Sequence, residues 1–318
     1  MRTYKFLPMF MIAVATSAAA QPAPSSSLPG VAEEQLFSGA RSRDVLAAQI
    51  ILDRSGHSPG VIDGAMGGNT RRAIQAFQRA NGMAVDGGLS SALLDQLRSA
   101  HSGDLLQRYT ITAEDVAGPF IDLPSGMEEQ AKLETLGYES PVEAIAEKFH
   151  MAQSFLEALN PGADFGSAGT EITVIVPGKD ELESKVARIE VDKAGSALRA
   201  YSEDGTLVAT YPATIGSSSF PSPSGAMEVL AVAPAPTYHF DPEGRSWGPD
   251  EKLTIAAGPN NPVGGTWIDL SKEGYGIHGT PDPKLIGKTA SHGCVRLTNW
   301  DAEELAKAVS QGTKVEFV

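Results

Sequence analysis

Apolar residues recur at helical spacing in three short stretches near the start of the chain. The positions that set this spacing are Val45, Ala48, Leu52, Ala73, Phe77, Ala80, Leu93, Leu94 and Leu97. Residues three, four or seven apart lie on one face of a helix, so each stretch predicts a short amphipathic helix. Thr70 is placed to cap the second helix, and Ser90 or Ser91 the third. The pattern predicts a small three-helix N-terminal domain over residues 42–100, with His57 in a surface loop.

Residues 108–178 mix strand and helix signals. One strand is predicted at Tyr109–Thr112 and another at Glu171–Val176. Between them a capping box begins at Ser140 and predicts a helix, and a second helix ends before the Asn-Pro-Gly sequence at Asn160. The pattern therefore predicts an α+β middle module.

From residue 187 onward, apolar and polar positions alternate, which is typical of half-buried strands. Strands are predicted at Arg188–Asp192, Ala197–Ser202, Thr206–Tyr211, Ala226–Val232, Thr266–Leu270 and Thr313–Val318. A helix is predicted at Trp300–Val309, with Thr298 or Asn299 as its cap. The chain is therefore predicted to be multidomain, with a mostly β C-terminal domain over residues 187–318.

The first residues of the chain have a pattern of their own. Arg2 and Lys5 form a short positive start, Phe6–Ala15 form an apolar run, and the small residues Ala18–Ala20 follow ahead of Gln21. This order predicts a signal peptide over residues 1–20 that is cleaved on export to the periplasm. The alternative is a membrane anchor, but the apolar run is too short to span a membrane comfortably. Residues 21–41 are rich in Pro, Ser and Gly and predict a flexible linker. No membrane anchor is expected after cleavage.

Composition narrows the classes of function. Of the 318 residues, 42% are hydrophobic and 20% are charged, which is ordinary for globular domains. The formal net charge of −14 argues against nucleic acid as a partner, because phosphate binding needs a basic surface. Cys294 is the only cysteine, so an intramolecular disulfide is not possible and the thiol becomes a candidate for chemistry.

The candidate chemistry lies in the stretch Gly274–Asn299, where Cys294 follows His292 by two residues and His278 lies farther upstream. A thiol attacks carbonyl groups as thiolate, and its ordinary pKa of roughly 8.5 leaves little thiolate at neutral pH. A neighbouring imidazole can take the proton and activate the sulfur. Two alternatives remain: a small buried cysteine without a chemical role, and a zinc site made by the three side chains.

This stretch resembles the L,D-transpeptidases of bacterial cell walls, the YkuD-type catalytic domain. The resemblance is carried by H-G-T at His278–Thr280 and by S-H-G-C-V-R-L-T-N at Ser291–Asn299. It extends from about Ala187 to the C-terminus and includes F-P-S-P-S-G at Phe220–Gly225 and G-P-N-N-P-V-G at Gly258–Gly264. It implies the mostly β L,D-transpeptidase fold for this part of the chain.

The resemblance also implies roles for single residues. Cys294 is the expected nucleophile, His278 its base, and the Gly279 carbonyl the group that orients the imidazole. His292 belongs to the catalytic set and lines the site, and backbone N–H groups around it are expected to form an oxyanion hole. The residues expected to contact substrate are Ser291, Gly293, Arg296 and Tyr275, with Arg296 facing a carboxylate. No cofactor and no metal are expected.

The implied donor is a tetrapeptide stem of peptidoglycan. The thiol would form an acyl-enzyme with release of D-alanine, and an amine on a second stem would then resolve it into a 3-3 cross-link. Water as the acceptor would make the protein an L,D-carboxypeptidase, and a protein amine would make it an anchoring transferase. A peptidoglycan-binding scaffold is the non-enzyme alternative. Carbapenem β-lactams are expected to inhibit by acylating the same thiol.

Two further resemblances concern the modules before the catalytic domain. Residues 42–100 resemble peptidoglycan-binding domain 1, at Gly60–Gly64, Asn69–Arg71, Ala76–Gln78 and Val85–Gly87. Residues 108–178 resemble a diverged LysM module, with additional residues between the first strand and the first helix. This module is either a glycan-binding module or a structural spacer with the same fold. The expected partners are therefore the stem peptides and the glycan of peptidoglycan.

Overall fold

A computed structural model describes residues 36–37, 39–101 and 103–318. The predicted signal peptide, residues 1–20, and most of the predicted linker lie outside the described residues. None of the helices in the described part of the chain is long and apolar enough to cross a membrane.

Three helices form the N-terminal domain, as the apolar spacing predicts. They are α1 at Arg43–Arg54, α2 at Gly68–Ala80 and α3 at Ser91–Ala100. Ser90 caps α3 by accepting the Leu93 N–H, which confirms the predicted cap. The prediction that Thr70 caps α2 is wrong, because the helix already begins at Gly68. The Thr70 hydroxyl instead accepts a hydrogen bond from Gln49 Nε2 at 3.1 Å and ties α2 to α1.

The middle module has the predicted order of strand, helices and strand. Its elements are β1 at Leu106–Thr110, α4 at Met127–Gln130, α5 at Pro141–Lys148, α6 at Gln153–Leu159 and β2 at Glu171–Ile175. The two strands pair antiparallel. Ser140 caps α5 by accepting the Glu143 N–H at 3.2 Å, as the capping box predicts. The single-turn helix α4 lies in the additional residues of this module, and the likeness to LysM stays a prediction.

The N-terminal domain has a buried cluster of its own and shares a second one with the middle module. The shared buried cluster contains Leu46, Ile50 and Ile62 of the N-terminal domain. It also contains Phe155 of α6 in the middle module. The Ile62 N–H also donates to the His150 carbonyl of the middle module at 2.9 Å. Separating the two units would expose this apolar surface to water, so the shared core holds them in one orientation.

The C-terminal domain is built on one eight-stranded sheet. Its strands are β3 at Arg188–Asp192, β4 at Ala197–Tyr201, β5 at Leu207–Pro212, β6 at Gly225–Pro234, β9 at Thr266–Leu270, β10 at Gly276–His278, β11 at Val295–Arg296 and β12 at Lys314–Phe317. Two further strands, β7 at Tyr238–Phe240 and β8 at Leu253–Ile255, pair as a separate hairpin. The helix α7 at Asn299–Ala308 follows the Thr298 cap. The mostly β fold and each predicted strand are confirmed, with small shifts at strand ends.

The order of strands in the sheet is β11-β10-β9-β6-β12-β3-β4-β5. The two short strands that carry the candidate chemistry, β10 and β11, therefore lie at one edge. Each is anchored by a fully buried apolar side chain, Ile277 in β10 and Val295 in β11, and Leu305 of α7 packs in the same core. The core thus fixes the backbone on which the reactive side chains are carried.

The prediction of a surface loop at His57 is wrong, because this side chain is buried against the C-terminal domain. Its Nδ1 lies 3.0 Å from Thr210 Oγ1 on β5, and the neighbouring Ser58 hydroxyl donates to Asp301 of α7 at 3.1 Å. Burial lowers the pKa of His57 to about 4, so the ring is neutral at neutral pH. The partner lies in a distant part of the chain, where local spacing gives no signal.

Candidate active site

Strands β10 and β11 bring the cysteine and the first histidine of the motif together. They pair in parallel, with Ile277 opposite Val295 and His278 opposite Arg296. Side chains alternate along a strand, so Cys294, two residues before Arg296, projects to the same face as Arg296 and His278. All three line one cavity of about 720 Å³, which has room for a peptide ligand.

His278 is buried and held in one orientation. Its Nδ1 lies 2.7 Å from the Gly279 carbonyl oxygen, and its ring stacks on Trp267 with the centroids 5.5 Å apart. A carbonyl only accepts, so Nδ1 carries the proton and Nε2 is the basic nitrogen. Burial, together with the positive charge of Arg296, lowers the pKa of His278 to about 3. The imidazole is therefore neutral before any reaction begins.

Cys294 is half-buried, and its Sγ lies 3.6 Å from the Gly274 carbonyl oxygen. Burial raises the pKa of this thiol, and the Gly276 N–H and the charge of Arg296 only partly oppose that effect. Because the pKa of His278 is lowered at the same time, the resting pair consists of a neutral thiol and a neutral imidazole.

Hydroxyl groups shape the segment that leads to the cysteine. Ser291 Oγ accepts the Gly293 N–H at 3.0 Å and donates to the Cys294 carbonyl at 2.6 Å. Ser222 Oγ donates to the Gly293 carbonyl at 2.7 Å. Since the Gly293 N–H is already used, an oxyanion hole in this segment has to be built from the neighbouring N–H groups. Ser291 thus supports the loop as well as lining the cavity.

Gly293 and Tyr275 meet at the back of this loop. Gly293 has a φ of +121°, and a Cβ there would stand 2.9 Å from the Tyr275 ring, so only glycine fits. The predicted substrate contact of Tyr275 therefore has no support from its position, because it is not among the described residues that line the cavity. Its ring instead limits where the loop can lie.

His292 occupies surroundings quite unlike those of His278. It is exposed, and its ring stacks on Trp247 with centroids 3.9 Å apart, while Phe220 contacts it edge-on at 4.8 Å. Partial burial and the nearby charges of Arg296 and Arg245 lower the pKa of His292. One histidine is thus fixed by a backbone carbonyl, and the other is held between aromatic rings beside the cavity.

Arg296 faces the cavity from the same strand edge. Burial lowers the pKa of its guanidinium, although nearby groups that include Asp282 oppose this. Its Nε–H is buried and has no hydrogen-bond partner among the residues that the structure describes. A buried donor without a partner is costly, and a ligand carboxylate would satisfy it.

Asn299 is a part of the site to which sequence reasoning gave only a capping role. Its Oδ1 accepts the Gly265 N–H at 3.2 Å and the Thr280 N–H at 3.0 Å, on either side of the histidine strand. A Cβ on Gly279 would clash with this same oxygen, which explains the glycine after the histidine. The Asn299 Nδ2 donates to Glu147 of α5 at 2.9 Å, so the middle module reaches the base of the site.

Other residues lining the cavity had no signal in the sequence. They are Met127 and Gln130 of α4 and, on or beside the β7–β8 hairpin, Tyr238, Arg245 and Trp247. Long-range packing brings them to the cavity, so no local spacing could have marked them. Within the described part of the chain, no three His, Cys, Asp or Glu side chains are grouped in a way that could hold a metal ion. The zinc alternative therefore has no ligand set there.

Two family descriptions and one solved structure show what this chain is similar to. The family description "L,D-transpeptidase catalytic domain" matches residues 186–317, and "Putative peptidoglycan binding domain" matches residues 41–97. L,D-transpeptidase 3 from Mycobacterium tuberculosis, a solved structure, is similar with a TM-score of 0.36 and 16% identity, over 47% of this chain and 74% of that one.

Two curated relatives are more similar in sequence. The probable L,D-transpeptidase YbiS of Escherichia coli is 31% identical over 190 residues, which cover 57% of this chain and 61% of the relative. The putative L,D-transpeptidase YkuD of Bacillus licheniformis is 34% identical over 176 residues, 55% of this chain and 92% of the relative. Because nearly the whole of that relative is matched, this chain belongs to the L,D-transpeptidase family.

Proposed function

We propose that this cell-wall L,D-transpeptidase uses Cys294 as its nucleophile and a peptidoglycan tetrapeptide stem as its donor, and that it makes 3-3 cross-links. The observation that carries the proposal is the parallel pairing of β10 with β11, which directs the thiol and a carbonyl-fixed imidazole into one cavity. Family membership supports the reaction type.

In the acylation step, Sγ attacks the carbonyl carbon between the third stem residue and D-alanine. The S–C bond forms while His278 Nε2 takes the thiol proton, and that proton then passes to the D-alanine nitrogen as the C–N bond breaks. Because thiol and imidazole both start neutral, proton transfer accompanies the attack rather than preceding it. The Gly279 carbonyl accepts the Nδ1–H and stabilises the transient imidazolium.

In the second step, an amine of another stem attacks the thioester. The new C–N bond forms, the C–S bond breaks, and the amine proton returns by way of His278 to the sulfur. Both steps pass through a tetrahedral oxyanion, for which N–H groups beside Gly293 are the available donors, since the Gly293 N–H is held by Ser291. The bond energy of the donor peptide is kept in the thioester, so no nucleotide is needed.

The remaining site residues contribute to binding. Arg296 would pair with the terminal carboxylate of the donor, which would satisfy its buried Nε–H. His292, stacked on Trp247, would form a wall of the cleft and take no part in activating the thiol. Ser291 and Gly293 would hold the backbone of the oxyanion segment. The N-terminal domain would bind peptidoglycan, in keeping with its family match.

A carbapenem would acylate the same thiol, because its strained carbonyl mimics the donor carbonyl in the cavity. L,D-transpeptidase 3 of Mycobacterium tuberculosis has been solved with a faropenem-derived adduct. For this chain, the proposal rests on family membership and on a single half-buried thiol. The adduct is expected on the wild-type protein and not on Cys294→Ala.

The proposed acceptor is tested by incubating the protein with purified disaccharide tetrapeptide and separating the products. We expect dimers joined by 3-3 links, with free D-alanine, and neither product from Cys294→Ala. Tripeptide without dimers would indicate water as the acceptor and an L,D-carboxypeptidase. Linkage only to an added protein amine would indicate an anchoring transferase. If no product formed with any donor, the protein would instead be a peptidoglycan-binding scaffold without enzymatic activity.

We propose that the protein works in the periplasm after cleavage of residues 1–20. The charged start, apolar run and small residues at Ala18–Ala20 support this. N-terminal sequencing of the exported protein should begin at or near Gln21. Recovery of Met1 on the exported form would contradict the cleavage.

A further inference from the structure

The middle module does more than connect the wall-binding domain to the catalytic domain. Between β1 and the Ser140 cap of α5, Ile111 still lies in the core of the middle module, whereas residues 127–137 pack on the catalytic domain. Leu136 is fully buried there. Its N–H donates to the Ala257 carbonyl at 3.0 Å, and its carbonyl accepts the Asn260 N–H at 2.9 Å. This two-way backbone pairing resembles one rung of a sheet and fixes the segment.

The docking is tight as well as hydrogen-bonded. A Cβ on Gly258, whose φ is +151°, would clash with the Leu136 carbonyl, so the two backbones approach as closely as glycine allows. Asn260 Nδ2 adds hydrogen bonds to the Gly137 carbonyl at 3.0 Å and to Glu143 at 3.1 Å. These directed contacts fix the position of the segment on the catalytic domain.

The docked segment carries two side chains to the catalytic cavity. Met127 and Gln130, one turn apart on α4, line the same cavity as Cys294, His278 and Arg296. The Gln130 amide is oriented, since its Nε2–H donates to the Pro124 carbonyl at 2.8 Å. Met127 is half-buried and offers a flexible apolar surface. An apolar surface beside an oriented amide is suited to a peptide, with its alternating aliphatic and amide groups.

We propose that the segment from 127 to 137 forms one wall of the substrate site, in which Met127 and Gln130 contact a stem peptide. The inference rests on the proposed function, because it takes the stem peptide as the substrate. The peptide on this wall belongs either to the donor stem or to the acceptor stem, which share the same chemistry. The two residues determine specificity and binding; they do not take part in the bond-making steps.

The test uses the full chain with Met127→Ala, Gln130→Ala and the double variant. Matched controls are Glu128→Ala and Glu129→Ala, on the same turn but exposed and away from the cavity lining. Thermal melting confirms that each variant is folded. The rate of Cys294 alkylation by iodoacetamide should stay unchanged in all of them, because the thiol and its base are untouched.

The two stems are separated by two measurements. Single-turnover release of D-alanine from disaccharide tetrapeptide reports the donor, and aminolysis of the preformed acyl-enzyme by a second tetrapeptide reports the acceptor. We expect a loss of apparent affinity of about three- to tenfold for each single variant in one of these measurements, the size of one neutral hydrogen bond or a modest apolar contact. The controls should match the wild type.

A loss in the first measurement assigns the wall to the donor stem, and a loss confined to the second assigns it to the acceptor stem. If the double variant matches the wild type in both, the segment is only a docking contact and the inference is overturned. Failure of the wild type to release D-alanine, with alkylation intact, would instead overturn the proposed function.

Discussion

The two histidines of the motif differ in what fixes them, and this difference predicts their roles. His278 has its Nδ1 held by a carbonyl and its pKa lowered to about 3, whereas His292 is exposed and stacked on an aromatic ring. General-base catalysis contributes about 10²–10⁴ in rate, so His278→Ala should slow acylation by a factor of that order. His292→Ala should chiefly weaken substrate binding. Rapid-quench measurement of D-alanine release separates the two effects.

The pH dependence of Cys294 alkylation gives a second prediction at the residue scale. A lowered imidazole pKa and a raised thiol pKa mean that no thiolate–imidazolium pair exists at rest. The alkylation rate should therefore rise with pH in a single sigmoidal transition. The midpoint of that transition should lie above the ordinary pKa of a thiol. A plateau already reached near pH 6 would show a preformed ion pair. A shift of the midpoint in His292→Ala but not in His278→Ala would mean that the two roles are reversed.

At the scale of elements, α5 of the middle module supports the end of the histidine strand. Glu147 accepts from Asn299 Nδ2 at 2.9 Å, and Asn299 Oδ1 in turn accepts the Thr280 N–H. Glu147→Ala would remove one of the two hydrogen-bond partners of the Asn299 Nδ2 group and leave only the Pro259 carbonyl, at 3.2 Å. The loss of such a hydrogen bond costs about 0.5–1.5 kcal/mol of unfolding free energy. We expect a lower Tm and a lower kcat for the alanine variant.

The control for this prediction is the conservative variant. Glu147→Gln keeps an acceptor oxygen for Asn299, so it should recover most of kcat, and Glu157→Ala on the exposed face of α6 should change neither quantity. Circular dichroism gives Tm, and turnover of disaccharide tetrapeptide gives kcat and KM. If Glu147→Ala lowered Tm but left kcat unchanged, α5 would stabilise the fold without positioning the active site.

Elements with a clear local period could be predicted from the sequence, and elements fixed by distant partners could not. The spacing in α1 and the alternation in β3 gave both elements correctly, because each buries one face. The helix α4 and the β7–β8 hairpin were missed, since they are short and their contacts lie far along the chain. The motif identified Cys294 and His278, but not Met127, whose position at the cavity depends on the docking of Leu136.

At the scale of the whole molecule, buried carboxyl groups lie where the modules meet. Burial raises the pKa of Glu147 and of Glu304 to about 8 and that of Asp301 to about 7. Asp301 accepts from Ser58 of the N-terminal domain, and Glu304 accepts from Tyr211 Oη at 2.7 Å. These groups hold protons in the folded protein at pH values where the unfolded chain has lost them.

This arrangement predicts that stability falls as pH rises. Between the ordinary carboxyl pKa values and about pH 8, the folded state binds more protons than the unfolded state, so each pH step lowers the free energy of unfolding. Buried His57 and His278, with pKa values lowered to about 4 and about 3, act in the opposite sense, but only below the ordinary histidine pKa of 6.5. The fall should therefore be clearest from pH 6.5 to pH 8.5.

Calorimetry of the full chain across that range checks the prediction. Tm should decrease, and Glu304→Gln should flatten the decrease, because glutamine cannot ionise and still accepts from Tyr211. Glu303→Gln is the matched control, since the Glu303 side chain is exposed. A Tm that rises from pH 6.5 to pH 8.5, or an equal slope in all three proteins, would contradict the assignment.

The measurement that tests the central claim most directly is the intact mass of the protein after brief mixing with disaccharide tetrapeptide. We predict an adduct equal to the donor minus D-alanine on the wild-type chain, lost when a second stem is added, and no adduct on Cys294→Ala. Peptide mapping should place the adduct on Cys294. The same adduct on Cys294→Ala, or release of D-alanine by that variant at the wild-type rate, would contradict the claim that this thiol carries the acyl group.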